Sequence, residues 1–544
     1  MTSFVIDAYE RRSIAVVDIP GAYLHASMKH DKKRVLMKLM GKFVDYMCKA
    51  NSKYKEYVTY EKGVKVLYLK LLRALYGCIE SALLWYELFA SKLVKMGFSI
   101  NPYDKCVANK MVKGKQCTIV WYVDDAKISH EDPEVVKDVI SRLEDEFGAL
   151  NPTYGNTQEY LGMKIRIDND QIIHVDMRDQ ICEIIQDFSE TIEGRVSSPA
   201  SKYLMDINAD SPPLSSRLAD EFHSVTAKLL YLEKRARPDI ETAISFLTTR
   251  VSCLNESDWN KLKRVLTYLQ QTKNDIRRIG CSSLGHIFTW IDAAYAIHDN
   301  MRSHTGGVIS LGWGALHTKS SKQKLNVKSS TEAELVGMSE YIPYNIWLVN
   351  FMSAQGYTIG HNVVYQDNQS SIRMERNGRN SCTGNSRHVN IRYFFVKDRI
   401  DKGEMSVSYC PTNNMLADFF TKPLQGSLFN RFRDVIMGFK HISTLERPNI
   451  DTSTSKLKER VEMSNNITNK YSRDKIVSLD ANDIKGGKEK REKEREKNEH
   501  VTLNERHEAF DHLSQNRATN HEEQGCQKER RCQEEKEENT KLKE

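Results

Sequence analysis

The spacing of apolar residues predicts alternating strands and helices in the first part of the chain. Residues 14–26 begin as an apolar strand that ends at Asp18, because proline and glycine follow at once. Residues 118–129 form two β-rich runs separated by Asp124 and Asp125. That pattern predicts a hairpin with two carboxylates at its tip.

Two helices and a second pair of strands are predicted around this hairpin. Segment 80–95 has an apolar stripe at helical spacing, formed by Leu83, Leu84, Leu88, Leu93 and Met96. Segment 133–147 follows an aspartate N-cap and carries apolar residues at the same spacing. Strands at 160–167 and 172–175 complete an antiparallel sheet with helices on one face. In such a layer the acid that ends the first strand lies beside the acids of the hairpin.

From residue 287 the pattern changes and predicts a second layer of strands and helices. The predicted elements are strands 287–293, 305–311 and 314–318, a helix over 329–341, a strand over 363–366, a helical patch, a strand over 405–409 and a last helix from Asn413 that Pro423 stops. Thr331 and Glu334 resemble a capping box. Residues 220–271, between the two layers, predict amphipathic helices whose charged faces fit a solvated surface and a nucleic-acid track equally well.

Composition narrows the class of protein. The 544 residues allow several domains, and a net charge of +7 suits a polyanionic partner. The 11 cysteines include no Cys-x-x-Cys pair, which argues for reduced thiols and against a zinc knuckle. No run of about 18 apolar residues and no signal segment is visible, so we expect an intracellular protein without a membrane partner. Beyond about residue 447 mixed charges dominate, and we expect a disordered tail.

The acidic residues by themselves leave two interpretations open. Asp124 and Asp125 fit a solvated turn or a pair of metal ligands. Asp367 at a strand end fits a cap, and Asp418 at a helix start fits a residue favoured by the helix dipole. Their joint placement on successive elements favours a metal site.

Several motifs together resemble the reverse transcriptases of copia-type retrotransposons. In the first part these are Asp18 with Tyr23, Leu75-Tyr76-Gly77, Trp85-Tyr86, Tyr122-Val123-Asp124-Asp125 and Tyr160-Leu161-Gly162. In the second part Ser329-Ser-Thr-Glu-Ala-Glu-Leu, Gln366-Asp-Asn-Gln-Ser and Leu416-Ala-Asp-Phe-Phe-Thr-Lys-Pro-Leu resemble the nuclease domains of the same elements. The resemblance runs from about residue 14 to about residue 435.

The resemblance implies a fold and four domains. We expect an α+β polymerase palm with partial fingers over residues 1–200 and a helical thumb or connection over 201–280. An α/β ribonuclease H-like domain is expected over 281–435, followed by a charged tail over 436–544. The implied activities are RNA-directed DNA polymerase and ribonuclease H. The implied partners are an RNA template, a DNA primer, an RNA·DNA hybrid and deoxynucleoside triphosphates, in a cytoplasmic particle or the nucleus.

The resemblance also implies the site residues of the polymerase. Asp18 and Asp124 are the expected ligands of two Mg²⁺ ions, and Asp125 is expected to face away and act more weakly. Tyr23 is the expected aromatic gate that selects deoxynucleotides. Glu80 stands where relatives carry glutamine and puts a negative charge near the nucleotide pocket.

The nuclease is implied to hold two further Mg²⁺ ions with Asp292, Glu334, Asp367 and Asp418. Glu332 is expected to be a surface acid, because one helix face cannot carry both glutamates inward. Four basic residues near these acids are expected either to meet phosphates or to be solvated, namely Lys319, Lys322, Lys324 and Lys328.

One departure from the family pattern weakens the polymerase expectation. Only 17 residues precede Asp18, where relatives carry basic fingers residues that grip the triphosphate. We therefore expect an N-terminally truncated copia-type protein in which cleavage survives more readily than DNA synthesis. The alternatives are an inactive relic that only binds nucleic acid and an interaction protein that acts through its charged tail.

Overall fold

The strand that ends at Asp18 lies inside an antiparallel sheet of six strands. In the computed structural model, which describes residues 1–28, 35–377 and 395–445, the strand order is Ser99–Ile100, Val107–Val112, Lys115–Tyr122, Asp125–His130, Ser13–Asp18 and Thr153–Tyr154. The apolar face of this sheet packs on two helices, Ser81–Lys95 and Pro133–Phe147. The antiparallel layer that joins the strand ending at Asp18 to the hairpin is therefore confirmed, but the strands predicted over 160–167 and 172–175 do not complete it, because they belong to a separate sheet.

The opposite face of this sheet is covered as well, which the sequence did not indicate. Lys127 alternates with the inward-facing Ala126 and Ile128 and therefore points to the other side. There it contacts Asp7 and the ring of Phe4. Both belong to the first helix, Thr2–Tyr9.

Within the helix Ser81–Lys95 the predicted apolar stripe is only partly right. Leu84 and Leu93 are buried, but Leu83 is 59% exposed. Trp85 and Phe89 are buried in its place and stack with ring centroids 5.3 Å apart. The predicted N-cap and the buried face of the helix Pro133–Phe147 are confirmed.

Residues 22–70 form a smaller unit beside this sheet. The short helix Ala22–His25 follows Asp18, and a three-stranded sheet is ordered Leu36–Met40, Val64–Lys70 and Thr59–Glu61. The helix Lys42–Ala50 and the 3-10 turn Ser52–Tyr57 connect its strands.

A second antiparallel sheet combines strands from the earlier and the later part of the chain. The order of its five strands is Thr157–Tyr160, Met163–Ile167, Ile173–Asp176, Arg277–Cys281 and Gly312–Trp313. The single strand predicted over 160–167 is wrong, because Leu161 and Gly162 both have positive φ and turn the chain into a hairpin. The predicted helices over 220–271 are confirmed, and the helices of this region are Arg178–Gln186, Ser216–Arg235, Glu241–Thr248 and Glu256–Gln271, with a 3-10 turn at Pro238–Ile240.

The later part of the chain forms a mixed five-stranded sheet. Its order is His317–Lys322, His304–Ser310, His286–Ala294, His361–Gln366 and Ser406–Tyr409. The first three strands are antiparallel, and the last two join in parallel. Its helices are Ser330–Ala354, Gln369–Asn377, residues 395–401, Asp418–Thr421 and Gly426–Ile436, with 3-10 turns at Thr412–Asn414 and Ile442–Thr444.

Three predictions about this part are corrected. The strand predicted over 314–318 lies at His317–Lys322, because Gly314 has positive φ and forms a turn. The predicted last helix is the four-residue Asp418–Thr421, and a longer helix follows Pro423. The helix Ser330–Ala354 is capped by Ser329, whose side chain accepts from the backbone N–H of Glu332, so the predicted capping box at Thr331 and Glu334 is wrong.

One apolar core extends from Phe4 in the first helix to Leu445, and the helices Ser81–Lys95 and Pro133–Phe147 form a separate core with the first sheet. The strand Arg277–Cys281 crosses the boundary predicted at residue 280, and the four predicted domain ranges stay predictions. No helix among the described residues is long and apolar enough to cross a membrane. The disordered tail predicted over 436–544 is wrong for residues 436–445, where Met437, Ile442 and Leu445 are buried, and the rest of that range lies outside the described part of the chain.

Candidate metal-binding sites

Three acids from two neighbouring strands and one helix of the later part of the chain converge. Asp292 lies near the end of the central strand His286–Ala294, and Asp367 directly follows the parallel neighbour His361–Gln366. Glu334 lies in the second turn of the helix Ser330–Ala354, which packs across that sheet. One carboxylate oxygen from each of the three lies within 4.8 Å of the others. No other group of three acidic, histidine or cysteine side chains in the described residues is this close.

The surroundings of this group fit a bound cation. Asp292 and Glu334 are buried and Asp367 is half-buried. Burial, followed by the charges of Asp292 and Asp367, raises the pKa of Glu334 well above its ordinary value. Burial and Asp292 also raise the pKa of Asp367. Oε2 of Glu334 is buried without a hydrogen-bond partner. An all-oxygen donor set with an unpartnered buried oxygen suits a hard divalent cation such as Mg²⁺.

The fourth predicted acid lies beside this group rather than within it. Asp418 opens the short helix Asp418–Thr421, and its Oδ1 is 2.8 Å from Nζ of Lys422. Lys422 Nζ is also 3.6 Å from Oδ2 of Asp292. Burial and the charge of Asp292 raise the pKa of Asp418 to about 8. The hydroxyl of Thr421 donates to Asp292. Sequence reasoning missed Lys422 and Thr421 as members of the site, although both lie in the quoted Leu-Ala-Asp-Phe-Phe-Thr-Lys motif.

The choice between the two glutamates agrees with the structure. Glu332 is only partly buried, and its carboxylate accepts from the backbone N–H of Lys328. Among the described contacts, none of the four lysines expected near the acids pairs with Asp292, Glu334, Asp367 or Asp418. Lys324 and Lys328 are exposed, and Lys319 and Lys322 are partly buried on their strand.

The acids of the first sheet meet at the Tyr122–Asp125 hairpin. The backbone N–H of Ile19 donates to the carbonyl of Asp124 at 2.9 Å, so the end of the first strand lies against the turn. Asp18 and Asp125 are directly opposite in the antiparallel register. Opposite residues of antiparallel strands share a face, so the prediction that Asp125 faces away is wrong. Burial, then Asp124 and Asp18, raise the pKa of Asp125.

This hairpin is held by aromatic side chains. The indole N–H of Trp85 donates to the carbonyl of Val123 at 2.6 Å, and Val123 has a positive φ of 56°. The hydroxyl of Tyr76 donates to Asp124 Oδ2 at 3.4 Å. These contacts hold the two-residue turn Val123-Asp124, in which the backbone of Val123 is strained. The turn lies against the end of the strand at Asp18.

Of the two residues predicted to contact the nucleotide, Tyr23 packs beside the acidic hairpin and Glu80 is exposed to solvent. Tyr23 lies on the helix Ala22–His25, and its ring centroid is 4.4 Å from that of Tyr76. Tyr76 thus links Tyr23 to Asp124, a contact that sequence spacing does not reveal. Glu80 is exposed, and its side chain does not cap the helix that it precedes.

The chain is similar to a known enzyme family in its first part and to transposon polyproteins over a longer range. Residues 3–202 match the family described as reverse transcriptase (RNA-dependent DNA polymerase). The retrovirus-related Pol polyprotein from transposon TNT 1-94 of Nicotiana tabacum is 26% identical over 381 residues, which cover 69% of this chain and 28% of that polyprotein. The retrovirus-related Pol polyprotein from transposon RE1 of Arabidopsis thaliana is 26% identical over 377 residues. These residues cover 68% of this chain and 25% of that polyprotein.

Two further comparisons concern a shorter relative and a solved structure. A putative transposon Ty5-1 protein of Saccharomyces cerevisiae is 26% identical over 276 residues, covering 50% of this chain and 88% of that protein. The protease-reverse transcriptase of prototype foamy virus aligns with 76% of this chain and 45% of its own length, at 12% identity and a TM-score of 0.19. That score is too low to support a structural argument. The chain spans only about a quarter of the length of the plant polyproteins.

Proposed function

Because this chain carries a copia-like retrotransposon Pol region, we propose that it combines an RNA-directed DNA polymerase with a ribonuclease H. The polymerase would copy an RNA template from a DNA primer with deoxynucleoside triphosphates. The nuclease would cleave the RNA of RNA·DNA hybrids, selecting them by 2′-hydroxyls and groove shape. The convergence of Asp292, Glu334 and Asp367 carries the nuclease proposal.

The sheet that holds these acids supports the nuclease as a ribonuclease H-like fold. Its central strand has antiparallel neighbours on one side and parallel neighbours on the other. Asp292 lies on that central strand and Asp367 at the end of the adjacent parallel strand. Asp367 is the half-buried member of the group, so a nucleic-acid backbone would approach from its side.

We assign the metal ligands of the nuclease to Asp292, Glu334 and Asp367, with Asp418 adjacent. Bound Mg²⁺ would polarise the scissile phosphate and lower the pKa of an attacking water. The protein's own contribution is to fix the carboxylates. Thr421 orients Asp292 through its hydroxyl, and Thr412 donates to Asp367 Oδ2 at 3.0 Å. Burial of Glu334 keeps bulk water away from its side of the site.

For the polymerase, Asp18, Asp124 and Asp125 are the proposed acids and Tyr23 the proposed gate. Asp18 and Asp125 lie opposite one another on neighbouring strands and Asp124 lies in the adjoining turn, but the ligand atoms of these three acids do not form a group as tight as that of the nuclease acids. Formation of a two-metal site there requires substrate or primer to complete it. We therefore propose that hybrid cleavage is more robust than DNA synthesis.

The test is cleavage of a fluorescently labelled RNA·DNA hybrid by the purified full chain. We expect Mg²⁺-dependent cleavage that is abolished by EDTA and by Asp367→Asn. Asp299→Asn, an exposed acid of the neighbouring loop, serves as the matched control and should cleave normally. Primer extension on an RNA template, compared with Asp124→Asn, measures the polymerase in parallel.

The outcomes separate the proposed function from its alternatives. Binding of the hybrid without cleavage under Mg²⁺ or Mn²⁺ would favour an inactive relic. Strong primer extension without hybrid cleavage would reverse the ranking of the two activities. Cleavage that persists in Asp367→Asn would contradict the assignment of the metal ligands.

A further inference from the structure

One cation supplied by the chain itself lies among the nuclease acids. Nζ of Lys422 is 2.8 Å from Oδ1 of Asp418 and 3.6 Å from Oδ2 of Asp292. The side chains of Asp292 and Asp418 are 3% and 4% exposed, whereas that of Lys422 is 42% exposed. The ammonium group therefore bridges two buried carboxylates from the solvent side.

Backbone contacts fix the position of Lys422. It follows the short helix and lies four residues after Asp418, so its side chain returns over that carboxylate. The helix is pressed against the strand at Gly306, where an added Cβ would lie 2.7 Å from the carbonyl oxygen of Ala417. Because no side chain separates the helix from the strand, Lys422 is held close to the end of the site at Asp292.

The four acids consequently divide into two cation positions. Asp292, Glu334 and Asp367 form the tight group and have no cationic partner other than Lys422 at Asp292 among the described contacts. Asp292 and Asp418 form the second position, and Lys422 already lies there. When ionised, the four acids carry four negative charges, of which one divalent ion and one ammonium group balance three. Two divalent ions together with the ammonium group would exceed them by one.

We propose that Lys422 is a resident counter-ion that occupies the second cation position of the nuclease site. One divalent ion then binds tightly to Asp292, Glu334 and Asp367. A second divalent ion binds only when it displaces the Lys422 ammonium from Asp292 and Asp418. Lys422 is a positioning residue in this account, which rests on the proposed nuclease function.

The experiment counts metal ions instead of measuring turnover alone. Binding of Mn²⁺ to the full chain is titrated by electron paramagnetic resonance of the free ion. An Asp124→Asn background removes the binding contribution of the polymerase acids. The same titration is made on this parent and on three further variants in the same background, Lys422→Met, Lys422→Arg and Lys440→Met. Lys440 is a matched control because it forms a 2.7 Å ion pair with Asp434 away from the site.

We expect one tight Mn²⁺ in the parent and two in Lys422→Met, with the second ion bound about tenfold more tightly than in the parent. Lys422→Arg keeps the charge and should reproduce the parent isotherm, as should Lys440→Met. Two equally tight ions in the parent, or a Lys422→Met isotherm identical to that of the parent, would overturn the Lys422 proposal. If either result is found while the parent still cleaves the hybrid, only the Lys422 proposal fails. A parent that neither binds Mn²⁺ nor cleaves the hybrid would overturn both proposals.

Discussion

A buried charge network at Asp239 holds the connecting helices to the helix Gly426–Ile436. Asp239 accepts two hydrogen bonds from Arg237, at 2.9 Å each, and one from Arg433 at 3.0 Å. The hydroxyl of Tyr268 donates to it at 2.7 Å. Asp239 and Arg237 are at most 1% exposed, and among the described contacts the ion pairs of Asp239 are those with Arg237 and Arg433.

The change Asp239→Asn keeps the size of the side chain and removes its charge. The buried guanidinium of Arg237 then loses its anionic partner, while Arg433 keeps its ion pair with Asp275. Breaking a buried ion pair by neutralising one partner costs about 3–5 kcal/mol, and we expect a loss of unfolding free energy in that range. Asp275→Asn is the matched control, since the side chain of Asp275 is 36% exposed and forms an ion pair with Arg433. Its expected cost is about 1 kcal/mol or less.

The pH dependence of stability gives an independent readout of the same network. Burial alone would raise the pKa of Asp239, but Arg237 and Arg433 hold it well below its ordinary value of 3.8. A depressed carboxyl pKa stabilises the folded state above the unfolded pKa, and that stability is lost as the pH falls below about 4.

Urea unfolding followed by tryptophan fluorescence at pH 7 and pH 3 measures both effects. Between pH 7 and pH 3 the wild type should lose more unfolding free energy than Asp239→Asn loses. Equal losses in the two proteins would contradict the role of the charge. So would an Asp239→Asn variant within 1 kcal/mol of wild type at pH 7.

Two further predictions concern other buried positions. Burial raises the pKa of Glu375 from 4.5 to about 8, so the folded protein should lose up to about 5 kcal/mol of stability between pH 4.5 and pH 8 from this group. Glu375→Gln should abolish that loss in urea unfolding, and an unchanged slope with pH would contradict it. Gly306→Ala should force apart the strand and the Asp418 helix, costing about 1–3 kcal/mol and most of the hybrid cleavage. Gly360→Ala, where an added Cβ meets nothing within 4 Å, should leave both melting temperature and cleavage unchanged.

Local periodicity and residue order were sufficient to predict much of the fold. The helix Pro133–Phe147 has the predicted aspartate cap, proline and buried face, because these signals are encoded within one segment. Asp18 and the Asp124 hairpin meet because the strand Ser13–Asp18 pairs with the strand Asp125–His130, although about a hundred residues separate the two strands in the sequence. Periodicity predicted a strand around Asp292 and a strand that ends at Asp367, whereas the pairing of these two strands is seen only in the structure.

The errors arose where distant contacts or single dihedral angles decide the structure. Leu83 fits the helical stripe, but Trp85 and Phe89 fill the interior with larger rings and leave it in solvent. The turn at Leu161 depends on a left-handed backbone that leucine rarely adopts, so its sequence reads as strand.

The cluster around Asp292 shows what sequence alone leaves out of a site. Thr421 and Lys422 reach Asp292 from more than 100 positions away, and no spacing rule joins them to it. The capping residue also differs from the prediction. Ser329 caps the helix and Glu332 supports the turn, which leaves Glu334 free to face the other acids.

Single-turnover cleavage of an RNA·DNA hybrid by Glu334→Gln and Glu332→Gln is the decisive comparison. The two glutamates lie two residues apart on one helix, but only Glu334 is buried among Asp292 and Asp367. We predict that Glu334→Gln cleaves at least about 100-fold more slowly than wild type and that Glu332→Gln cleaves at the wild-type rate. Equal rates for Glu334→Gln and wild type, or cleavage by wild type that persists in EDTA, would contradict a metal site built from these acids.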